Sequence, residues 1–369
     1  MSGPIRVLVV DDSALMRKLI PQLLATDSSI QVVGTAMDGI FGLKKIEELK
    51  PQVITLDLEM PGMGGLEMLK EIMRTHRLPV IVVSSHSTQG ASITLKALSM
   101  GAVDFVAKPT DVSARMPEIA QELISKIKVA AYSRRVKVAT QDWPSVVARE
   151  KAAPAASTQA TRVVAIGIST GGPQALQYLL PQLPKDFPAS ILIVQHMPEG
   201  FTEMFARRLD DTCAIRVKEA QSGDLLLPGQ ALVCPGSRHL KITRMARGAV
   251  AVLSDEPRVN GHRPSVDVLF QSVAEEFKDK CIAVLMTGMG EDGANGLGLV
   301  KKAGGMTIAQ NEESCVVYGM PKAGIERGHA IRIVGLEAMA NTLMVQVMQD
   351  RKGTTITGKN DKAFSAGKD

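Results

Sequence analysis

The chain is poor in aromatic side chains. They make up 3% of its 369 residues, with one Trp, three Tyr and eight Phe. Its cores must therefore be built from Val, Ile, Leu, Ala and the 19 Met. So few rings offer few stacking platforms, which argues against a single-stranded nucleic-acid binder. Cysteine is also scarce. Cys213, Cys234, Cys281 and Cys315 are scattered without CxxC spacing. That excludes a cysteine zinc cluster on spacing and speaks against a disulfide scaffold. No apolar run approaches the length of a membrane span, and no basic-then-apolar leader opens the chain. The expectation is a soluble cytoplasmic protein, not inserted in a membrane.

What the chain does have is a 45% apolar content, enough for real hydrophobic cores. At about 150 residues per domain, its length suggests two domains. The net charge of +5 is unevenly spread. Residues 126–160 carry Lys126, Lys128, Arg134, Arg135, Lys137, Arg149 and Lys151 against Asp142 and Glu150. Residues 351–369 are also net basic, so the remaining body is slightly acidic. This is not the basic face of a nucleic-acid binder. It reads as two near-neutral bodies with a basic connector and a basic tail.

The first body alternates short apolar runs with amphipathic stretches. Strands are predicted at residues 5–10, 31–35, 53–58, 79–83 and 103–106, and helices at 13–25, 41–49, 66–73, 92–99 and 117–130. Five such βα units predict a doubly wound parallel sheet covered on both faces. The rhythm fades between about 131 and 160, where Ala-Ala-Pro-Ala-Ala-Ser-Thr has linker composition and Trp143 is the only Trp. It resumes with apolar strands at 162–168, 190–194, 230–233, 281–286, 306–309 and 330–334. Residues 240–243 and 248–253 suggest an inserted hairpin. The expected division is 1–126 for the first domain, 127–160 for the linker, 161–350 for a second α/β domain, and 351–369 for a polar, disordered tail.

Asp11 and Asp12 follow the first strand and Asp57 ends the third. Ser84 ends the fourth, and Lys108 follows the fifth. Carboxyl ends of parallel strands are where open α/β sheets place ligands. Clustered carboxylates repel unless a cation is present, and hard oxygen donors suit Mg²⁺. A carboxylate beside a metal and a lysine can accept a phosphoryl group. Taken singly, Asp11 and Asp12 also fit a helix N-cap region before Ser13. Val-Val-Asp-Asp-Ser (9–13), Leu-Asp-Leu-Glu-Met-Pro (56–61), Gly-Gly-Leu-Glu (64–67), Val-Ser-Ser (83–85) and Gly-Ala-Val-Asp-Phe-Val-Ala-Lys-Pro (101–109) resemble a response-regulator receiver domain. The resemblance implies that Asp57 is the phospho-acceptor, with Asp11, Asp12 and the backbone at Glu59 helping to hold Mg²⁺. It implies that Ser84 and Lys108 sense the phosphate and that Phe105 is the aromatic switch. A phosphohistidine on a sensor kinase is the implied donor.

In the second body, Gly167-Ile168-Ser169-Thr170-Gly171-Gly172-Pro173 follows a strand and opens a helix. It satisfies the G-x-S-x-G elbow pattern, although Gly-rich βα turns also cradle phosphates. His196 ends the next apolar run, at the same rim as Ser169. Thr287-Gly288-Met289-Gly290-Glu291-Asp292 follows another strand. It offers Asp292 as third member, with Glu291 as rival and the Met289 and Gly290 amides as oxyanion donors. A Ser-Asp-His order could instead use Asp210 or Asp211 with His239 or His262, but those aspartates do not end a strand. His329 precedes a strand and faces the opposite rim.

Ile-Gly-Ile-Ser-Thr-Gly-Gly-Pro (166–173), Val-Gln-His-Met-Pro-Glu-Gly-Phe-Thr (194–202), Pro-Gly-Ser-Arg-His-Leu (235–240), Gly-His-Arg-Pro-Ser-Val-Asp (261–267) and Leu-Met-Thr-Gly-Met-Gly-Glu-Asp-Gly (285–293) resemble the chemotaxis protein-glutamate methylesterases. This family joins such a receiver to a hydrolytic domain. The resemblance implies Ser169 as nucleophile, His196 as base and acid, and Asp292 as orienter, with Thr170, His262 and Met289 lining the site. It implies methylated glutamates of chemoreceptors as substrate, deamidation of receptor glutamines, Mg²⁺ for receiver phosphorylation, and no cofactor for ester hydrolysis. Two other classes are a DNA-binding response regulator and a non-catalytic phosphate- or nucleotide-binding module.

Overall fold

The computed structural model describes residues 3–85, 87–108, 116–132, 159–246 and 248–348. Trp143, the rest of the connector from 133 to 158, and the tail after 348 lie outside these residues. The first domain runs β1 (Ile5–Val10), α1 (Ala14–Leu24), β2 (Ile30–Ala36), α2 (Gly39–Leu49), β3 (Val53–Asp57), α3 (Gly65–Thr75), β4 (Val80–Ser84), α4 (Thr88–Ser99), β5 (Asp104–Ala107) and α5 (Met116–Tyr132). The strands pair in the order β2-β1-β3-β4-β5, all parallel. Every residue of β3 and β4 is buried, as a sheet covered on both faces requires. On one face Val7, Val9 and Ile81 pack with Ile20 of α1 and Leu123 and Ile127 of α5. On the other, Leu8, Ile54 and Leu56 pack with Ile46, Leu69 and Leu95 from α2, α3 and α4. Ser13, Asp38 and Ser87 cap α1, α2 and α4, each accepting a bond from an amide three residues on.

The second domain runs β6 (Val163–Ile168), α6 (Gly172–Leu179), β7 (Ser190–Gln195), α7 (Phe201–Thr212), β8 (Arg216–Glu219), β9 (Gln230–Val233), β10 (His239–Met245), β11 (Gly248–Ser254), α8 (Val266–Phe277), β12 (Cys281–Leu285), α9 (Ala294–Lys302), β13 (Met306–Gln310), α10 (Met320–Glu326), β14 (Arg332–Val334) and α11 (Leu336–Met348). Among the described residues, seven strands form one parallel sheet in the order β14-β13-β12-β6-β7-β9-β8. β10 and β11 make the expected antiparallel hairpin. The strand order reverses at β6, where β7 leaves on one side and β12 returns on the other. That is the switch point at which such sheets open a crevice.

Three features differ from the sequence reading. α5 continues to Tyr132, past the expected boundary at 126. Lys126 and Lys128 therefore belong to the receiver. They pair with Asp104 and Glu122, and with Asp27, so part of the basic connector charge is neutralised inside a domain. The second body begins earlier than 161, because Ala160 is buried and its amide bonds Leu226 O. Finally, β8 was not foreseen. Its residues Arg-Val-Lys-Glu hold one apolar side chain, which suits a charged edge strand.

The domains meet through α4, which packs against α6 and α7. Leu95, Leu98 and Phe105 join Leu176, Phe201 and Phe205 in one buried apolar cluster. Phe105 stacks on Phe201 with ring centroids 4.6 Å apart. Gln174 donates to the Leu98 and Ala102 carbonyls, and Arg208 donates to the Ser99 hydroxyl.

One close approach fixes α8 under the switch point. A Cβ on Gly167 would lie 2.1 Å from Cγ1 of Val266. Val266 is β-branched and stiff, so it cannot yield cheaply. Gly167→Ala is expected to destabilise the protein by about 1–3 kcal/mol, read by urea unfolding. Unchanged stability would show that α8 is not seated by this contact.

Candidate active site

In the receiver, one ligand oxygen each of Asp11, Asp12 and Asp57 can gather within 4.8 Å of one another. Lys108 Nζ lies 2.6 Å from Asp57 Oδ2 and 3.0 Å from Asp11 Oδ2. Burial pushes the Asp11 carboxyl up; the Lys108 charge opposes this, and the Asp57 charge adds to it. Burial also works against the Lys108 charge, but its bonds to Asp57 and its two carboxylate neighbours outweigh this and raise it. The helix-cap reading of the two aspartates falls to Ser13, whose own amide donates to Asp11 Oδ1. The Glu59 amide donates to Asp57 Oδ1, while the Glu59 carboxylate accepts from Ser85. Three carboxylates at one rim are hard donors and fit Mg²⁺. The Ser84 hydroxyl faces α4, accepting from Thr94 and donating to Gly90 O. Phe105 is buried in the domain interface.

In the second domain, Ile168 pairs with Gln195 across β6 and β7. Ser169 and His196 are the next residues on these neighbouring strands, and the His196 amide still bonds Ile168 O. Gly171 opens α6 at φ 78°, a left-handed conformation that a side chain would resist. A Cβ there would also strike Val316. Asp292 is buried, and its Oδ2 lies 2.8 Å from His196 Nε2. His196 Nδ1 is buried without a hydrogen-bond partner, so it is the ring nitrogen left for a hydroxyl. Burial works against the Asp292 charge. The bond and charge of His196, the Val266 amide and the Ser265 hydroxyl outweigh it and hold the carboxyl far below its usual range.

The remaining candidates divide. His262 stacks flat on His196, with centroids 3.9 Å apart and planes 4° apart. Burial, with the His196 charge second, pushes it down to about 4, so it is neutral near pH 7. The Gly288 backbone lies against Ser169, but its amide is taken by Val317 O. Met289 and Gly290 follow, Met289 exposed and Gly290 at φ 81°. Thr170 is turned away: its buried hydroxyl donates to Asp104 of the receiver at 2.7 Å.

Two family models match the chain. CheB methylesterase covers residues 164–343, and response regulator receiver domain covers residues 7–120. The protein-glutamate methylesterase/protein-glutamine glutaminase 2 of Koribacter versatilis is 61% identical over 354 residues, covering 94% of this chain and 98% of its own. A protein-glutamate methylesterase/protein-glutamine glutaminase of Pyrococcus horikoshii is 43% identical, covering 96% of each chain. The crystal structure of the Thermotoga maritima CheB methylesterase catalytic domain matches with TM-score 0.50 and 44% identity, covering 50% of this chain and 98% of that one. The chain belongs to the CheB methylesterase family.

Within this CheB methylesterase fold, the alternative serine sets come apart. Asp210 accepts from the Val217 amide. His239 is buried between Pro257 O and the Ser265 amide. His329 bonds Ala294 O, and Glu291 pairs with Arg327 rather than His196. Four contributors escaped the sequence reading. Gln195 donates to the carbonyls of both Ser169 and His196, bracing their backbones. Ser265 and Asn260 donate to Asp292. Asp104 reaches Thr170 from the other domain. Of these, Gln195 alone gave a local signal, as a polar residue closing an apolar strand.

A carboxyl held low stabilises the fold fully above its unfolded value of about 3.9 and loses that contribution as pH falls toward its folded value. The stability gap between wild type and Asp292→Asn is therefore expected to be largest above about pH 4 and to narrow in acid. Urea unfolding from pH 3 to 7 measures it. A gap that widens in acid contradicts the assigned environment.

Proposed function

We propose that the protein is a serine hydrolase that demethylates glutamate methyl esters on chemoreceptors and deamidates receptor glutamines, under control of phosphorylation at Asp57. The observation that carries this reading is the use of His196. Asp292 takes Nε2, and Nδ1 stays buried and unpartnered, on a residue that follows the strand next to the one Ser169 follows. Imidazole held on one nitrogen and open on the other is the geometry of a general base serving a hydroxyl.

In the proposed reaction Ser169 Oγ attacks the ester carbonyl carbon, and its proton passes to His196 Nδ1. Amides of the 289–290 segment receive the oxyanion. The bond to the methoxy oxygen breaks, and that oxygen takes the proton as methanol. Water then gives a proton to Nδ1 and attacks the acyl carbon. Ser169 leaves with that proton, and the glutamic acid formed releases water's second proton to solvent to become a carboxylate. With a glutamine substrate, ammonia leaves in place of methanol. The names of the matched relatives support both substrates.

Regulation follows the contacts between domains. Ser84 is one strand from Asp57 and bonded into α4. α4 packs on α6, the helix that Ser169 precedes, and on α7. In the proposed switch, a phosphoryl group on Asp57 draws Ser84 and Lys108 toward itself and loosens α4, Phe105 and Asp104 from the second domain. Asp11, Asp12, Asp57 and the backbone at Glu59 would hold Mg²⁺, which supplies charge neutralisation for phosphoryl transfer. A sensor histidine kinase is the proposed donor, and the cytoplasm the proposed location.

Methanol release from methylated receptor membranes tests the chemistry. Ser169→Ala is expected to lose at least about a thousand-fold in activity, and full activity there would end the serine mechanism. Asp57→Ala is expected to show no response to a phosphodonor. Phe105→Ala, which removes the ring against Phe201, is expected to raise unphosphorylated activity by about five- to ten-fold. Unchanged basal activity would remove this contact from control.

A further inference from the structure

The segment from 259 to 267 carries more than His262. Asn260 and Gly261 are both left-handed, at φ 54° and 78°. Val259 and His262 exchange two backbone bonds around them, 3.0 and 2.9 Å long. This is a two-residue turn of the primed type, which Asn-Gly favours. It aims Asn260 Nδ2 at two carboxylates, 2.8 Å from Asp267 Oδ2 and 3.1 Å from Asp292 Oδ1. Burial pushes the Asp267 carboxyl up; the Gly296 amide opposes this, and the Asp292 charge adds to it. Here a neutral donor sits between them.

Ser265 stands at the N-cap of α8, where a serine hydroxyl ordinarily accepts from the first helical amides. It makes no such cap. Its buried hydroxyl instead donates to Asp292 Oδ1 at 2.8 Å. The cap is supplied by Asp292, which accepts from the Val266 amide through Oδ2 and the Asp267 amide through Oδ1. One oxygen thus holds His196 and Val266, while the other holds Ser265, Asn260 and Asp267. The carboxylate plane is fixed on both edges.

We infer that Ser265 and Asn260 are positioning residues for His196, acting through Asp292: together they fix the carboxylate edge opposite the imidazole and so fix its aim. The inference rests on the proposed Ser169-His196-Asp292 chemistry. It gives the Ser265 hydroxyl a task other than capping α8, and it explains an Asn in a turn that Gly alone could make. Neither side chain touches substrate in this assignment.

The charged and titratable groups around this carboxylate are His196 beyond β7, His262 on the turn and Asp267 in the first turn of α8, with Arg258 acting on His262. Glu122 of the receiver also acts on His262. An added carboxylate on the turn would favour the protonated imidazole. Asn260→Asp keeps size and turn preference and exchanges donors for an acceptor. Asn260→Gly keeps the left-handed backbone and deletes the amide.

The test uses full-length protein, with methanol release from methylated receptor membranes and the rate of Ser169 labelling by a fluorophosphonate as two readouts. Ser265→Ala and Asn260→Gly are each expected to lower kcat and the labelling rate together by about ten- to hundred-fold, with KM unchanged. Asn260→Asp is expected to move the acid limb of both pH profiles to higher pH. If Ser265→Ala and Asn260→Gly keep wild-type kcat and labelling rate, and Asn260→Asp keeps the wild-type profile, while Ser169→Ala is inactive, the positioning role is overturned and the triad stands. Full activity in Ser169→Ala overturns the chemistry and this inference together.

Discussion

Val266 is wedged between Gly167 on β6 and Gly293 ahead of α9, and both glycines would clash with it if they carried a Cβ. The geometry of the site depends on that wedge. β6 is the middle strand of the β12-β6-β7 group, so Ser169 and His196 are placed by sheet register, with Gln195 bracing both. Asp292 is not, because it lies well beyond the end of β12 in a glycine-rich loop. The loop needs an anchor, and the N-terminus of α8 supplies one through the Val266 and Asp267 amides. A carboxylate is favoured there by free amides and by the helix dipole. Seating α8 against Gly167 therefore carries Asp292 to His196.

The two domains use the same rule for different chemistry. Each gathers its polar residues at the carboxyl rim of a parallel sheet, and the first domain is laid across helices that begin at the rim of the second. Thr170 joins them most directly, following Ser169 in sequence and donating to Asp104. Asp104 is also paired with Lys126, whose charge is further supported by Glu122. A hydrogen bond to a charged group contributes about 1.5–3 kcal/mol. A stacked ring pair adds about 1 kcal/mol beyond its burial. Contacts of this size hold one arrangement firmly, yet a new charge and its bonds can reverse them.

Local patterns made most of this legible. Alternation of apolar strands with amphipathic helices is a short-range signal, and it marked both sheets and the residues at their ends. Lys126 and Lys128 misled because Asp104 and Asp27 are distant in sequence, and Glu122, one helical turn from Lys126, falls before the expected boundary. A run of basic residues looks alike whether it is solvated or paired. Thr170 misled for a related reason. The family resemblance placed it in the site, but a buried carboxylate from another domain takes its hydroxyl. Ser265 and Asn260 were silent because their role exists only once α8, the 260–261 turn and the 286–293 loop are assembled. The family motif that includes residues 261–267 pointed to His262 and passed over both.

The electrostatics of the second rim favour one location for new positive charge. Proton transfer from Ser169 would make His196 an imidazolium. A second cation beside it would oppose that step, and His262 lies in ring contact. Burial keeps His262 neutral near pH 7, so it contributes a polarisable face and no charge. Asp292 is ionised across the same range, because its fixed donors replace the water that burial removes. In the proposed reaction the imidazolium would thus form between a permanent anion and a neutral ring. A stronger base than Asp292 would share the proton and weaken His196 as the acid proposed to release it to methoxide. A carboxylate already saturated by amides and hydroxyls attracts the proton without taking it.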